Sequence, residues 1–215
     1  MTLYWPPGSR SQAKQDQFVW TVLSGKTHGT WLELGAGHPV NGNNTYYLEQ
    51  HFNWSGISID IQDLTEIWSD TRDTCLTVAD AYDFDYSVIP EYCDYLQVDL
   101  DTGEHSLEIL SQLISRHRFS VITFEHDAYA DNQHARSHSR NLLTQAGYQC
   151  VVADVTLYPV MIPEHLLSLY PNAIFAFEDW WIHPGIVPAS ALEPFRHLGP
   201  GPNYINDIFR IHSQL

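Results

Sequence analysis

Apolar runs that end in a polar residue alternate with helix-like segments along most of the chain. The runs that predict strands lie at residues 30–34, 54–61, 74–81, 95–101 and 119–127, with two more at 148–155 and 173–181. Segments with apolar residues at helical spacing lie at 12–27, 45–52, 63–69, 106–116 and 132–146. This order predicts an α/β fold with a mostly parallel seven-stranded sheet, an antiparallel terminal hairpin and helices on both faces.

The pattern continues without a linker, an internal repeat or a low-complexity segment, so we expect one domain over residues 1–215. Residues 1–29 are expected to form a helical cover, because Phe18, Val19 and Val22 lie on one helical face. This helix could cover the sheet edge or close over a ligand. Repeated prolines in residues 183–215 predict an irregular C-terminal tail.

The first strand runs into a turn that contains Glu33, Gly35 and Gly37, and a helix follows it. Glycines allow a sharp turn and a close backbone approach, and a helix N-terminus offers free N–H groups. A nucleotide-binding unit and an ordinary tight turn both fit this pattern. The third glycine of a dinucleotide fingerprint is replaced by Val40, which disfavours an NAD-dependent enzyme.

The second strand also ends in an acidic residue, Asp60, about 20 residues beyond the glycine turn. A carboxylate at this distance can accept hydrogen bonds from both hydroxyls of a ribose. The alternative is a helix N-cap, since a helix is predicted from residue 63. The spacing favours the ribose.

Composition narrows the class of protein. A hydrophobic fraction of 44% in 215 residues favours a globular domain with a core. The formal net charge is −16, with ten Lys and Arg residues, so we expect no nucleic-acid partner and no membrane partner. Three scattered cysteines and an N-terminus without signal-peptide features lead us to expect a cytoplasmic protein. A homo-oligomer stays open.

Taken together, these motifs resemble the class I S-adenosylmethionine-dependent methyltransferases, and within them the FkbM-like family. The similar segments are Glu33–Gly37, Asn43–Thr45 with Leu48 and Glu49, Trp54–Asp60, Val98–Glu104 and Phe177–Trp181. The resemblance implies a Rossmann-like methyltransferase fold, S-adenosylmethionine as cofactor and O-methylation of a hydroxyl on a sugar or another small molecule. The alternative is a non-catalytic nucleotide-binding or assembly module with the same fold.

The resemblance also implies a set of cofactor-binding residues. In the family, the acid before the glycines approaches the amino-acid part of the cofactor, and a polar side chain after the third strand lies near the adenine. The residues expected to bind the cofactor are Glu33, Gly35, Ala36, Gly37, Asn44, Asp60, Ile61, Asp80, Ala81 and Asp99.

A second resemblance, to macrocin-type sugar O-methyltransferases, implies an Mg²⁺ site beside the acceptor. Asp99, Asp101 and Asp127 would be its ligands, because carboxylate oxygens suit Mg²⁺. The alternative is that Asp99 touches the cofactor, Asp101 caps a helix and Asp127 belongs to a loop.

The expected catalytic residues are His126 and Asp127, which follow the fifth strand at the predicted ligand crevice. A hydroxyl nucleophile benefits from a base, and histidine titrates nearest to neutral pH. His126 could also only hydrogen-bond a neighbouring strand. Trp180, Trp181 and His183 could line the acceptor site, or the two tryptophans could pack in the core.

Overall fold

A single mixed sheet organises the molecule. A computed structural model of the chain describes residues 8–130, 133–171 and 173–209. The strands are β1 (Thr30–Leu34), β2 (Ser55–Asp60), β3 (Leu76–Val78), β4 (Tyr92–Val98), β5 (Arg118–Glu125), β6 (Gln149–Thr156), β7 (Ala176–Ile182) and β8 (Asn203–Tyr204). Their order in the sheet is β3-β2-β1-β4-β5-β7-β6-β8.

Most neighbours in the sheet are parallel. The strands β3, β2, β1, β4 and β5 run parallel to one another, whereas β7 lies antiparallel between β5 and β6. The predicted α/β class, the mostly parallel sheet and the antiparallel terminal hairpin are therefore confirmed. All carboxyl ends of the parallel strands meet at one edge, which is where ligands bind in such sheets.

Helices cover both faces of the sheet. They are α1 (Gln15–Val22), α2 (Tyr46–Phe52), α3 (Thr65–Ser69), α4 (Gly103–Ile114), α5 (Gln133–Gln145), α6 (Glu164–Leu169) and α7 (Ile205–Ile208). Phe18 of α1 packs with Trp31 and Trp180 in the core on one face, and Leu110 of α4 packs with Leu32 in the core on the other. Within the described ranges, no helix has the length and apolarity needed to cross a membrane.

Several predicted boundaries differ from the structure. The helix predicted at 12–27 contains only Gln15–Val22, because Lys14 has a left-handed conformation before it and Leu23 ends it. The fourth strand begins three residues earlier than predicted and ends at Val98, so Asp99 and Asp101 lie in the loop that follows. Similarly, β5 ends at Glu125, and His126 and Asp127 form a turn beyond it.

The tail is less irregular than predicted. Asn203 and Tyr204 pair with Val155 and Thr156 as an eighth strand, and a short helix follows. Within the described residues, the sheet therefore has eight strands instead of the predicted seven. A two-residue strand carries too few positions to give a hydrophobic period. Part of the predicted N-terminal cover and the end of the tail, residues 1–7 and 210–215, lie outside the described residues.

Candidate active site

The turn after β1 contains two glycines, and each is needed for a different structural reason. Gly35 has φ +71°, and a Cβ there would lie 1.6 Å from the carbonyl oxygen of Asp99. Gly37 has φ +55° but open space around it. Gly35 is therefore needed for close packing of the β1 turn on the loop after β4, whereas Gly37 is needed only for its left-handed backbone.

Asp60 is tied to this turn. Its Oδ2 accepts a hydrogen bond from the backbone N–H of Gly37 at 2.8 Å, and its Oδ1 accepts one from Gln62 at 2.8 Å. The N–H groups of Gly35 and Ala36 both donate to the carbonyl of Ile59, one residue earlier. A carboxylate has about four lone-pair positions, so both oxygens of Asp60 keep capacity for a ligand.

A cavity of about 420 Å³ opens above this turn at the carboxyl ends of β1, β2 and β4. Its volume lies within the roughly 300–1,000 Å³ of small-molecule sites. The lining residues are Gly35, Gly37, Ile59, Asp60, Ile61, Gln62, Ala79, Asp80, Ala81, Tyr82, Asp99, Leu100, Asp101 and His105. Seven of the ten residues expected to bind the cofactor thus surround one cavity.

The charge of this cavity has one sign. Asp60, Asp80, Asp99 and Asp101 line it, and no Lys or Arg stands among the described residues that do so. Burial raises the pKa of Asp99 to about 7; its hydrogen bond with Glu125 opposes the rise, and the nearby charges of Asp127, Asp101 and Asp60 add to it. The cavity suits a cationic or neutral ligand better than an anionic one.

The other three expected cofactor residues, Glu33, Ala36 and Asn44, do not line the cavity. Glu33 is buried and accepts hydrogen bonds from the hydroxyls of Thr45 and Ser58 at 2.9 and 2.7 Å. Burial raises its pKa, although the nearby Arg72 charge and these hydrogen bonds oppose the rise. Glu33 therefore contacts the chain behind the turn, not the open cavity. Asn44 is also buried, and its Oδ1 has no hydrogen-bond partner among the described residues.

Arg72 holds the segment behind the turn and was not predicted. This buried guanidinium pairs with Glu49 and donates to Oδ1 of Asn43 at 3.0 Å and to the hydroxyl of Thr45 at 2.9 Å. It also lies 4.5 Å from the ring of Trp68. No local pattern marks it, because its polar partners lie 23 to 33 residues away in the sequence.

Tyr82 and His105 were also missed, although both line the cavity. Their rings meet edge to face at 5.4 Å, and the Tyr82 hydroxyl donates to Glu108 at 3.0 Å. Both residues lie in or next to connections that follow strand ends. That position was the available signal, since ligand-binding residues concentrate there.

Carboxyl groups cluster beyond the cavity, at the ends of β4 and β5. Burial raises the pKa of Glu125 well above its usual range, and the charges of Asp99 and Asp127 raise it further. Burial also raises the pKa of Asp127, against hydrogen bonds with Glu125 and Tyr129. Asp127 has a left-handed backbone with φ 49°, and its buried Oδ1 has no hydrogen-bond partner among the described residues. Such strained, underpaired groups concentrate at functional sites.

His126 follows β5 as predicted, but its side chain does not face the cavity. Its side chain is fully buried and does not line the cavity, so its placement beside the open crevice was wrong. Its Nδ1 accepts a hydrogen bond from the backbone N–H of Ala128 at 3.2 Å, and its Nε2 lies 3.5 Å from Oδ1 of Asp179. The turn that begins at His126 directs the ring toward β7 and away from the cavity.

The predicted Mg²⁺ ligands do not form a ligand set. In the described part of the chain, the one group of three metal-ligating side chains that meets is His126, Asp154 and Asp179, not Asp99, Asp101 and Asp127. Arg136 and Arg140 form ion pairs with Asp154, and Arg140 also pairs with Asp179. These arginines already neutralise both carboxylates, so the group does not fit a metal cation.

Of the two alternatives for Trp180 and Trp181, core packing is the one that the structure shows. Trp180 and Trp181 are 0% and 2% exposed, and they pack in the cores on opposite faces of the sheet. Successive side chains of a strand point to opposite faces, which explains the separation. His183 lines a different cavity, which includes residues from the start of β5 at the other end of the sheet.

Solved structures share this fold. No family model and no curated protein matches the chain. An rRNA methylase from Streptococcus thermophilus aligns over 78% of this chain and 94% of its own, with 14% identity and a TM-score of 0.52. The plantazolicin methyltransferase BpumL, solved in complex with SAH, aligns over 80% of this chain and 82% of its own, with 18% identity and a TM-score of 0.51. The chain thus has the Rossmann-like fold of these methyltransferases.

One expectation about partners needs correction. The negative net charge led us to exclude nucleic acid, yet the Streptococcus thermophilus protein with this fold is an rRNA methylase. Net charge is a property of the whole surface, whereas an acceptor meets only a local part of it. The fold and the charge together therefore do not exclude nucleic acid as a partner.

Proposed function

We propose that this chain is an S-adenosylmethionine-dependent methyltransferase that binds its cofactor in the cavity above Gly35 and Gly37. The observation that carries the proposal is the pairing of the Asp60 carboxylate with Gly37 at the wall of a cavity that no Lys or Arg of the described residues lines. S-adenosylmethionine carries a sulfonium and no phosphate, so an acidic cavity favours it. The pyrophosphate of NAD would instead meet four aspartates.

The lining residues suggest a role for each part of the cofactor. Asp60 would accept hydrogen bonds from the ribose hydroxyls, with Ile61 beside it. Asp80, Ala81 and Tyr82 would surround the adenine. Gly35 and Gly37 would lie along the amino-acid part, with Ala36 between them in the same turn.

Glu33 and Asn44 would act from behind this segment. The Thr45 hydroxyl donates to Glu33, and the neighbouring Asn43 donates to the carbonyl oxygen of Ala36 at 3.1 Å. These bonds connect the start of α2 to the glycine turn. Glu33 and Asn43 would therefore fix the shape of the turn, with Asn44 between Asn43 and Thr45 in the same segment.

For the acceptor we propose a hydroxyl on a sugar or another small molecule. The five sequence segments that resemble FkbM-like O-methyltransferases support this class. The carboxyl cluster beside Asp99 supplies a site for it, because Asp99 lines the cofactor cavity and interacts with Glu125 and Asp127. When bound, the cofactor would supply an electrophilic methyl group.

Asp127 would accept the proton of the acceptor hydroxyl. Its raised pKa brings this carboxyl closer to neutral pH, where a general base is most effective. The Asp127 side chain is partly exposed, and its buried Oδ1 has no hydrogen-bond partner among the described residues. The surrounding buried carboxyls would orient the hydroxyl by hydrogen bonds.

Titration calorimetry of the wild-type protein with S-adenosylmethionine, S-adenosylhomocysteine and NAD tests the cofactor assignment. We expect the first two to bind and NAD not to bind. Absence of S-adenosylmethionine binding, or preferential binding of NAD, would overturn the proposal.

Methyl transfer is then tested with cofactor that carries a labelled methyl group. The acceptor arms are a sugar mixture, small hydroxyl compounds and RNA. Labelled sugar or small-molecule ethers would support the proposed acceptor class, whereas labelled RNA would contradict it. Cofactor binding without transfer in every arm would favour the non-catalytic module.

A further inference from the structure

The two ring nitrogens of His126 face different parts of the protein. Its Nδ1 accepts from the N–H of Ala128, two residues ahead, and its Nε2 faces Oδ1 of Asp179 on β7. A neutral imidazole has one protonated nitrogen, so these contacts assign the proton to Nε2. The ring has no exposed surface through which an acceptor could reach it.

Hydrogen bonds hold the Asp179 carboxylate in one orientation. It accepts two hydrogen bonds from Arg140, both at 2.7 Å, and a third from the backbone N–H of Asp154 at 2.7 Å. Although burial opposes it, the hydrogen bonds from Arg140 and the nearby His126 ring hold the pKa of Asp179 well below its usual range. A second guanidinium, that of Arg136, pairs with Asp154. Charged side chains of helix α5 and of strands β6 and β7 therefore lie next to the His126 ring.

Asp127 lies between His126 and Ala128, the two residues that the hydrogen bond to Nδ1 joins. Its backbone N–H donates to the carbonyl of Phe177, and its φ of 49° is one that an L-residue adopts at a cost of about 1–3 kcal/mol. Something must hold the turn in that conformation. The bond from Ala128 to Nδ1 of His126 closes the turn on the far side of Asp127.

We infer that His126 is a positioning residue, which locks the turn at residues 126–128 so that Asp127 faces the acceptor. This inference takes the role of Asp127 from the proposed function, whereas the geometry of the turn is independent of that function. The buried His126 ring packs beside the Asp179–Arg140 pair and accepts the hydrogen bond from the strained turn. The proton on Nε2 keeps Nδ1 free to accept.

Two substitutions separate this role from simple packing. His126→Asn keeps an oxygen acceptor where Nδ1 stands, whereas His126→Leu keeps apolar volume and loses the acceptor. If the ring only filled space, leucine would be the better replacement. If it holds Ala128, asparagine would be the better one. His117→Asn is the matched control, because His117 is also buried but lies at the opposite end of β5.

The experiment uses nuclear magnetic resonance on the full chain, with ¹⁵N-labelled histidine rings and amide hydrogen exchange. We expect His126 to show an unprotonated Nδ1 and a protonated Nε2. We expect His126→Leu to speed exchange of the Ala128 amide at least tenfold and to shift the Asp127 amide, and His126→Asn to restore protection. His117→Asn should change neither signal.

A proton on Nδ1, or better protection of Ala128 in the leucine variant than in the asparagine variant, would overturn the inference. Calorimetry with S-adenosylmethionine on the same samples keeps the two proposals apart. If the wild-type protein does not bind S-adenosylmethionine, the proposed function is refuted and the assignment of the ring proton stands. Intact cofactor binding with an unchanged Ala128 amide in His126→Leu would refute the positioning role alone.

Discussion

Asp60 accepts a hydrogen bond at 2.8 Å from the backbone N–H of Gly37, which joins the carboxyl end of β2 to the turn after β1. The two residues lie 23 positions apart in the sequence and form adjacent walls of the same cavity. The bond serves the fold and the proposed site together. It fixes the direction of the carboxylate while leaving lone pairs for a ribose.

Asp60→Ala should weaken S-adenosylmethionine binding by about 10- to 100-fold. Hydrogen bonds to a charged group contribute about 1.5–3 kcal/mol each, and the substitution removes both the ribose acceptor and the partner of Gly37. Titration calorimetry measures the change. Asp63→Asn is the control, because Asp63 lies three residues away, is exposed and accepts hydrogen bonds from Thr65 within its own turn. Equal affinities of the Asp60→Ala variant and the wild type would contradict the ribose assignment.

Gly35→Ala should destabilise the protein far more than Gly37→Ala. A Cβ at Gly35 would overlap the carbonyl oxygen of Asp99, a backbone atom that cannot rotate away. At Gly37 the space is open, so the cost is that of a left-handed alanine, about 1 kcal/mol. Urea denaturation of both variants gives the comparison. Similar free energies of unfolding would show that the β1 turn and the β4 loop do not pack as closely as described.

The sequence was most informative where the signal was local. The alternation of strands and helices predicts the sheet, and the acid at the end of an apolar run places Asp60 at the cavity, because parallel strands present their ends at one edge. Both signals need only neighbouring residues. Both signals can therefore be read from the sequence without knowledge of tertiary contacts.

Other features depend on contacts that no local pattern records. Arg72 looks like any surface arginine until its buried polar partners are seen, and β8 exists only because Asn203 meets Val155. His126 was placed correctly after β5, but its direction follows from the left-handed turn at Asp127. A positive φ in a residue other than glycine is set by the surrounding structure and is not visible in the sequence.

Arg72→Met should lower the free energy of unfolding by about 3–5 kcal/mol. The substitution leaves the buried Glu49 without its cation and removes the donors to Asn43 and Thr45. Chemical denaturation near neutral pH measures the loss. Arg196→Met is the matched control: Arg196 forms an exposed pair with Glu193, so its loss should cost less than about 1 kcal/mol. Comparable losses in the two variants would contradict the central role of Arg72 behind the glycine turn.

Glu178→Gln should remove part of the pH dependence of stability. Burial raises the pKa of Glu178 to about 8, against hydrogen bonds from Trp180 and Gln15 and with the charge of Asp99 adding to the rise. In the unfolded chain this group titrates near pH 4.5. Between these two values the folded state keeps a proton that the unfolded state has lost. Stability therefore falls as the pH rises through this window, by up to about 1.4 kcal/mol per pH unit.

Glutamine imitates the protonated side chain, so the variant should lose this slope. It should match the wild type near pH 5 and exceed it in stability near pH 8. Urea denaturation at both pH values measures the difference, with Glu193→Gln as an exposed control that should show the wild-type slope. A Glu178→Gln variant whose stability falls with pH as steeply as that of the wild type would show that Glu178 is already ionised in the folded protein near neutral pH.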